Sequence, residues 1–152
     1  MVDLADSPGR LGRTLLDPCC GAGTVLAEAL AAGWTAEGTD IDAAAVEAAA
    51  RNAPRATVQL GDARELLLPD DCVAACVSSL PSGPQLGRLD GWQDWAAAAL
   101  AEMSRVTRSG GSVVLLAPEL PRPAIPAALR LRRQVPIRLA GSGSTIWVFR
   151  RA

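Results

Sequence analysis

The sequence predicts an α/β domain: a mainly parallel sheet of seven strands, flanked by helices and ending in an antiparallel hairpin. Three observations lead there. Short apolar runs alternate with helix-periodic stretches, the pattern left by strand–helix–strand crossovers. An acidic residue stands at or just past the end of each of the first three runs, at Asp17, Asp40 and Asp62. A glycine-bearing turn, Asp17-Pro18-Cys19-Cys20-Gly21-Ala22-Gly23-Thr24, joins the first run to the first helix. The 152 residues, 49% of them apolar, predict one domain spanning 1–152 with a core of its own.

Arg13 to Asp17 reads as the first strand. Thr24 to Ala32 reads as a helix with Val25, Leu26, Ala29 and Leu30 on one face and Gly33 as its stop. Trp34 to Asp40 is the second strand, and Asp42 is placed to cap an Ala-rich helix that Pro54 ends. Thr57 to Gly61 is the third strand. Cys72 to Ser78 is apolar throughout, as for a fourth strand buried on both faces. After Asp90, the residues Trp92, Trp95, Ala96, Ala99, Leu100, Met103 and Val106 form the stripe of a long helix, closed by Gly110-Gly111. Ser112 to Ala117 is the fifth strand. Pro118 to Pro126 is expected to lead into a short basic helix ending near Arg133. Val135 to Leu139 and Thr145 to Arg150 then flank Ala140–Ser144 as the hairpin, with Trp147 and Phe149 alternating toward the core.

Composition excludes several chemistries. The chain has no histidine, and its four cysteines (Cys19, Cys20, Cys72, Cys76) show no CxxC spacing. Catalysis by histidine is therefore excluded and no metal site is expected. No apolar run is long enough to span a membrane and no secretory segment opens the chain, so a cytoplasmic protein with reduced, structural cysteines is expected. All fifteen basic residues are arginine. Residues 1–100 carry six Arg against fourteen Asp and Glu, whereas residues 101–152 carry nine Arg against Glu102 and Glu119 alone. A net charge of −1 thus hides an acidic first part and a basic second part, an asymmetry suited to a polyanionic partner.

The carboxyl ends of the strands line the ligand crevice of an open α/β sheet. The glycines of the first turn let backbone approach a ligand closely, with amides facing it at a helix N-terminus. A dinucleotide fingerprint needs a third glycine where Leu26 stands, and the chain has no lysine for a Walker loop. A single nucleoside fits better. Asp40 is placed to accept both ribose hydroxyls and Asp62 an adenine amino group, while the backbone of Ala63 meets the ring.

The motifs DPCCGAGT (Asp17–Thr24), GTDID (Gly38–Asp42) and GDA (Gly61–Ala63), their acids 23 and 22 residues apart, resemble those of class I S-adenosylmethionine-dependent methyltransferases. Among these the chain is most similar to the THUMP-associated RNA (guanine-N2) methylases, and the similarity runs from Arg13 onward. The resemblance implies a Rossmann-like sheet and S-adenosyl-L-methionine as cofactor, held by Asp17, Pro18, Cys19, Gly21, Gly23, Thr24, Asp40, Ile41, Asp62, Ala63 and Ser79. It implies a target-holding motif at Ser79-Leu80-Pro81-Ser82. There Ser79 replaces the family's Asn or Asp, and Ser82 its aromatic residue. In the family the first side chain and the following carbonyl hold the target NH₂, and the aromatic stacks on the base. Trp92 or Trp95 is a candidate substitute stacking surface, although both already belong to the apolar stripe. Only twelve residues precede the first strand, a shorter lead-in than relatives carry. The function expected is N-methylation of RNA, with Arg122, Arg130, Arg132 and Arg133 as phosphate contacts. Two other readings stay open: methylation of a small molecule, and a degenerate, cofactor-binding but non-catalytic partner protein.

Overall fold

The structure, a computed structural model, describes residues 1–5, 12–81, 91–120, 122, 125–139 and 142–152. After a 3-10 turn at Val2–Leu4, the elements are β1 (Thr14–Asp17), α1 (Thr24–Ala31), β2 (Thr35–Asp40), α2 (Ala43–Asn52), β3 (Thr57–Leu60) and β4 (Val73–Ser79). They continue with α3 (Trp92–Val106), β5 (Thr107–Ala117), β6 (Leu129–Leu139) and β7 (Ser142–Arg151). The seven strands form one sheet in the order β3-β2-β1-β4-β5-β7-β6. β1 to β5 pair in parallel, and β7 runs antiparallel to both β5 and β6. The order reverses between β1 and β4, so a crevice opens above the carboxyl ends of these two strands.

Alternation along each strand sends side chains into two cores, one on each face of the sheet. Leu15, Ala36, Ala75, Val77 and Val114 pack with Leu26 and Ala29 of α1. Leu16, Cys76, Val113, Leu115 and Phe149 pack on the other side with Ala99, Leu100 and Met103 of α3. The apolar stripe of α3 is buried as its periodicity predicts, with Trp92 and Trp95 half-buried and stacked on each other at 5.5 Å. Asp42 caps α2 as expected, its Oδ1 accepting from the Ala44 N–H at 2.9 Å.

Four expectations are corrected. The long helix ends at Val106 rather than at Gly110-Gly111. The Thr107 hydroxyl donates to the Met103 carbonyl at 2.7 Å, and the strand starts there. The glycine pair instead serves a bulge, because Thr107 to Ser112 on β5 spans only Val73 to Ala75 on β4. Gly110 adopts φ +71°, and a Cβ at Gly111 would lie 2.7 Å from the Ala74 carbonyl oxygen, so glycine is required at both places. Second, the expected basic helix near Arg133 is strand: β6 is eleven residues long and pairs with β7 throughout. Leu131, Arg133, Gln134 and Val135 pair across to Phe149, Val148, Trp147 and Ile146, a tertiary partnership that overrides local helix preference. Third, Cys72 is exposed just before β4, whereas Cys76 is buried in it. Fourth, β4 extends one residue further, through Ser79. Ser82, Asp90 and the hairpin residues Ala140 and Gly141 lie outside the described residues.

The connection from β3 to β4 carries no helix. It is tied to α3 by Arg105, whose guanidinium donates to Glu102, Asp70 and the carbonyls of Leu66 and Leu68 at 2.7–3.0 Å. Glu102 in turn accepts the Leu66 N–H at 2.8 Å. This clamp fixes the segment that begins with Asp62 and Ala63.

Candidate functional site

The turn after β1 is built by hydrogen bonds to the neighbouring strand. The Cys20 N–H donates to the Thr39 carbonyl at 2.9 Å and the Thr39 hydroxyl to the Pro18 carbonyl at 3.2 Å. The Gly21 N–H donates to Asp40 Oδ2 at 2.8 Å, and the Asp42 N–H to Asp40 Oδ1 at 3.0 Å. Gly21 and Gly23 adopt φ of +49° and +86°, and a Cβ on Gly23 would press on the α2 backbone 3.0 Å away at Ala49. Gly23 therefore meets two demands, a left-handed turn and the close approach of α1 to α2. The expected cofactor residues Pro18, Cys19, Gly21, Gly23, Thr24 and Asp40 are thus gathered along one turn.

Space and donor set suit a nucleoside. Nothing lies within 4 Å of a Cβ placed on Gly21, leaving room for a ligand over the turn. Each Asp40 oxygen accepts one backbone N–H and retains capacity for a further hydrogen bond. Ile41 beside it is 71% exposed, an apolar shelf for a base. Ala63 packs into the core and is 5% exposed. Asp62 is less free than the sequence suggests. Arg64 donates to it from the backbone and from the guanidinium at 2.6–3.1 Å, which holds the carboxylate below its usual range. An adenine amino group would share this acceptor with Arg64.

At the rim, β4 ends in Ser79, which is exposed. The following Leu80 is buried, and its N–H donates to the Leu116 carbonyl at 3.0 Å. Pro81 is half-buried; Ser82 lies outside the described residues. A cavity of about 320 Å³ opens beside Leu16, Glu37, Thr39, Gln59, Asp62 and Leu66. It lies under the clamped connection and shares Asp62 with the expected cofactor residues.

The sequence reading missed a buried pair. Asp17 is 2% exposed, and its Oδ1 accepts the Ser78 hydroxyl at 2.7 Å and the Cys19 N–H at 3.2 Å. Burial pushes this carboxyl up to about 7 against the lowering effect of both hydrogen bonds. The thiols of Cys19 and Cys20 are pushed up by burial and by Asp17, that of Cys20 to about 12, so both stay neutral. Ser78 was legible only as a small residue in an apolar run. Because Asp17 binds its proton more tightly folded than unfolded, its contribution to stability is present below about pH 4. That contribution is lost as pH rises toward 7. Asp17→Asn is expected to gain stability relative to the parent over that interval, by up to a few kcal/mol. Urea unfolding at pH 5 and pH 8 checks it; a parent–variant difference that stays constant contradicts it.

The arginines divide. Arg151 donates to the Ser104 carbonyl at 2.7 Å and pairs with Asp71 at 3.4 Å, a structural role. Arg130, Arg132 and Arg133 are exposed on β6, an edge strand, and Arg122 is exposed after β5. Simple alternation would place Arg130 and Arg133 on opposite faces. The register shifts between Leu131 and Arg133, however, so Arg130 opposes Arg150 and Arg133 opposes Val148. Both therefore share one face, by a bulge at Arg132 rather than by helical spacing. Arg132 lines a shallow cavity on that face with Leu4, Ser112, Val148 and Arg150. Arg133 is level with Val114 and Val77, two residues below Ser79 and three strands across, about 15 Å away.

Among the described residues no group of three or more Cys, Asp or Glu is arranged to hold a metal. No helix among them is long and apolar enough to cross a membrane.

Residues 15–111 match the family described as "Methyltransferase domain". No curated protein matches the chain. Solved structures share the fold. TrmN from Thermus thermophilus aligns with a TM-score of 0.81 at 23% identity, over 93% of this chain and 44% of that one. A TehB-like SAM-dependent methyltransferase from Corynebacterium glutamicum aligns at 0.68 and 22%, over 95% and 83%. Geranyl diphosphate C-methyltransferase from Streptomyces coelicolor, in complex with Mg²⁺, geranyl diphosphate and S-adenosyl-L-homocysteine, aligns at 0.69 and 15%, over 92% and 71%. The chain spans less than half the length of TrmN. The seven-stranded sheet and the family match together make this chain a member of the methyltransferase-domain family.

Proposed function

We propose that the enzyme transfers the methyl group of S-adenosylmethionine to a nitrogen of an RNA base. The cofactor supplies an electrophilic methyl on a sulfonium. The turn Pro18–Thr24, with Asp17 beneath it, receives its amino-acid end. Asp40 accepts the ribose hydroxyls, and Ile41, Asp62 and Ala63 border the adenine. At the end of β4, the Ser79 hydroxyl and the Leu80 carbonyl hold the target amine. Such transfer needs no strong base, because presenting a nitrogen lone pair in line with the methyl supplies most of the acceleration.

The observation that carries the RNA reading is the exposed arginine face of β6, where the bulge aligns Arg130 with Arg133 beside Arg132. A nucleotide presented at Ser79 would leave phosphates of its neighbours within reach of that face. RNA retention on filters is expected to fall with salt, with a log–log slope of about −0.7 per phosphate contact for single strands. Replacing Arg130 and Arg133 with Gln should flatten the slope by roughly one to two units and leave cofactor affinity alone. An unchanged slope, or no RNA retained at low salt, contradicts the assignment and favours a metabolite or a non-catalytic role.

The substitution in the target motif gives a second test. Ser79→Ala is expected to slow single-turnover transfer by roughly tenfold without changing cofactor affinity, for loss of one hydrogen bond at the target nitrogen. Ser79→Asn, which reaches further with a carbonyl acceptor, should equal or exceed the parent. If both variants transfer at the parent rate, Ser79 does not touch the substrate.

A further inference from the structure

Asp17 and Ser78 form a buried polar contact at the seam where the sheet reverses direction. The pairing register of β1 with β4 runs Leu15↔Ala75 and Leu16↔Cys76. Ser78 lies two residues past it, hydrogen-bonded through its backbone strand to β5, where it opposes Leu115. The link back to β1 at this height is its side chain. One oxygen of Asp17 takes both the Ser78 hydroxyl and the Cys19 N–H. The carboxyl group is thereby fixed directly beneath the turn Pro18–Thr24.

We infer that Ser78, acting through Asp17, is a positioning residue for the cofactor's charged end, and that the pair distinguishes S-adenosylmethionine from S-adenosylhomocysteine by charge. This rests on the assignment of the Pro18–Thr24 turn to the cofactor. The two molecules share the same amino-acid end, ribose and adenine. They differ in a sulfonium cation against a neutral thioether. A carboxyl shielded from water interacts strongly with a charge arriving nearby, since little solvent intervenes. The methyl donor therefore favours the ionised carboxylate and drives its proton off, whereas the product does so less. By reciprocity, ionisation of Asp17 raises affinity for the donor more than for the product. The titratable groups that face Asp17 are Asp40 from β2, Cys19 and Cys20 from the turn, and Cys76 from β4. The thiols are pushed up by burial and remain protonated near neutrality, whereas burial brings Asp17 into the range where it can exchange a proton. Ser78 stabilises the carboxylate and so sets the pH at which this occurs.

Calorimetric titration of the purified protein with each molecule tests this without a methyl acceptor. It is run from pH 6 to pH 8, in two buffers of unlike ionisation enthalpy that together report the protons exchanged. The sulfonium also lowers the basicity of the amino group in its own molecule, so the two ligands differ in proton exchange even without Asp17, and Asp17→Asn supplies that baseline. Above the baseline, S-adenosylmethionine is expected to release more protons than S-adenosylhomocysteine near pH 7 and to gain several-fold in relative affinity by pH 8. Ser78→Ala should shift this excess to higher pH, and Ser78→Thr, which keeps a hydroxyl, should restore the parent profile. A difference between the two ligands that is the same in Asp17→Asn as in the parent overturns the inference while leaving the cofactor assignment in place. A Ser78→Ala profile that superimposes on the parent removes Ser78 from it. Failure of the parent protein to bind S-adenosylmethionine overturns both the inference and the assignment of the turn.

Discussion

Replacing Asp40 with alanine is expected to cost roughly a hundredfold or more in affinity for S-adenosylmethionine while the fold survives. A carboxylate accepting two hydroxyls makes two charge-assisted hydrogen bonds, each on the order of 1.5–3 kcal/mol. The same oxygens accept the N–H groups of Gly21 and Asp42 at 2.8 and 3.0 Å, so the substitution also loosens the turn. Gly21 is half-buried and Asp42 exposed, so both amides can turn to water, which limits the cost to folding. Asp40→Asn keeps one carbonyl acceptor and should fall between. Calorimetry reads the affinity directly; a Kd for Asp40→Ala within threefold of the parent would remove Asp40 from the cofactor site.

Gly38→Val should damage fold and site together. A Cβ at Gly38 would lie 2.7 Å from Leu26 Cδ1 and 3.0 Å from Cys20 Cβ. Both neighbours are buried, Leu26 fully and Cys20 at 5% exposure, so neither moves without displacing α1 or the turn. Overpacking of this kind costs about 1–3 kcal/mol, and valine adds two further methyl groups. A fall in Tm of roughly 5–10 °C is expected for a chain of this size. Because Cys20 is hydrogen-bonded to Thr39 across the same contact, cofactor affinity should fall as well. Thermal melting with and without the cofactor checks both parts. An unchanged Tm would mean that the turn does not depend on its approach to β2, and Gly38→Ala should give a smaller effect in the same direction.

These two residues also show what the sequence makes legible. Asp17, Asp40 and Asp62 announce themselves because short strands ended by acids, next to a glycine turn, leave few other topologies. Local rules sufficed for α3, whose periodicity is unbroken, and for the Asp42 cap. They failed where a long-range partner decides. Arg130–Arg133 read as helical in isolation, yet β7 recruits them into an edge strand whose bulge no local pattern encodes. The glycine pair after α3 read as a helix stop, although the carbonyl of Ala74 on the adjacent strand is what excludes a side chain at Gly111. Ser78 was invisible for a similar reason: its partner Asp17 is 61 residues away, and only strand order brings them together. Arg64 was missed as a competitor for Asp62 because its charge reads as ordinary surface. The arginine clamp at Arg105 likewise looks, in sequence, like one more basic residue in the basic part of the chain.

The reading as a whole turns on what receives the methyl group. The direct measurement is transfer of tritium from S-adenosyl-[methyl-³H]methionine by the purified protein into total RNA, run beside an identical reaction with a metabolite extract. Label incorporated into RNA, recovered as a methylated base after digestion and reduced by Ser79→Ala, is the predicted result. Label appearing in metabolites alone, or in neither pool while the protein binds the cofactor, would contradict it.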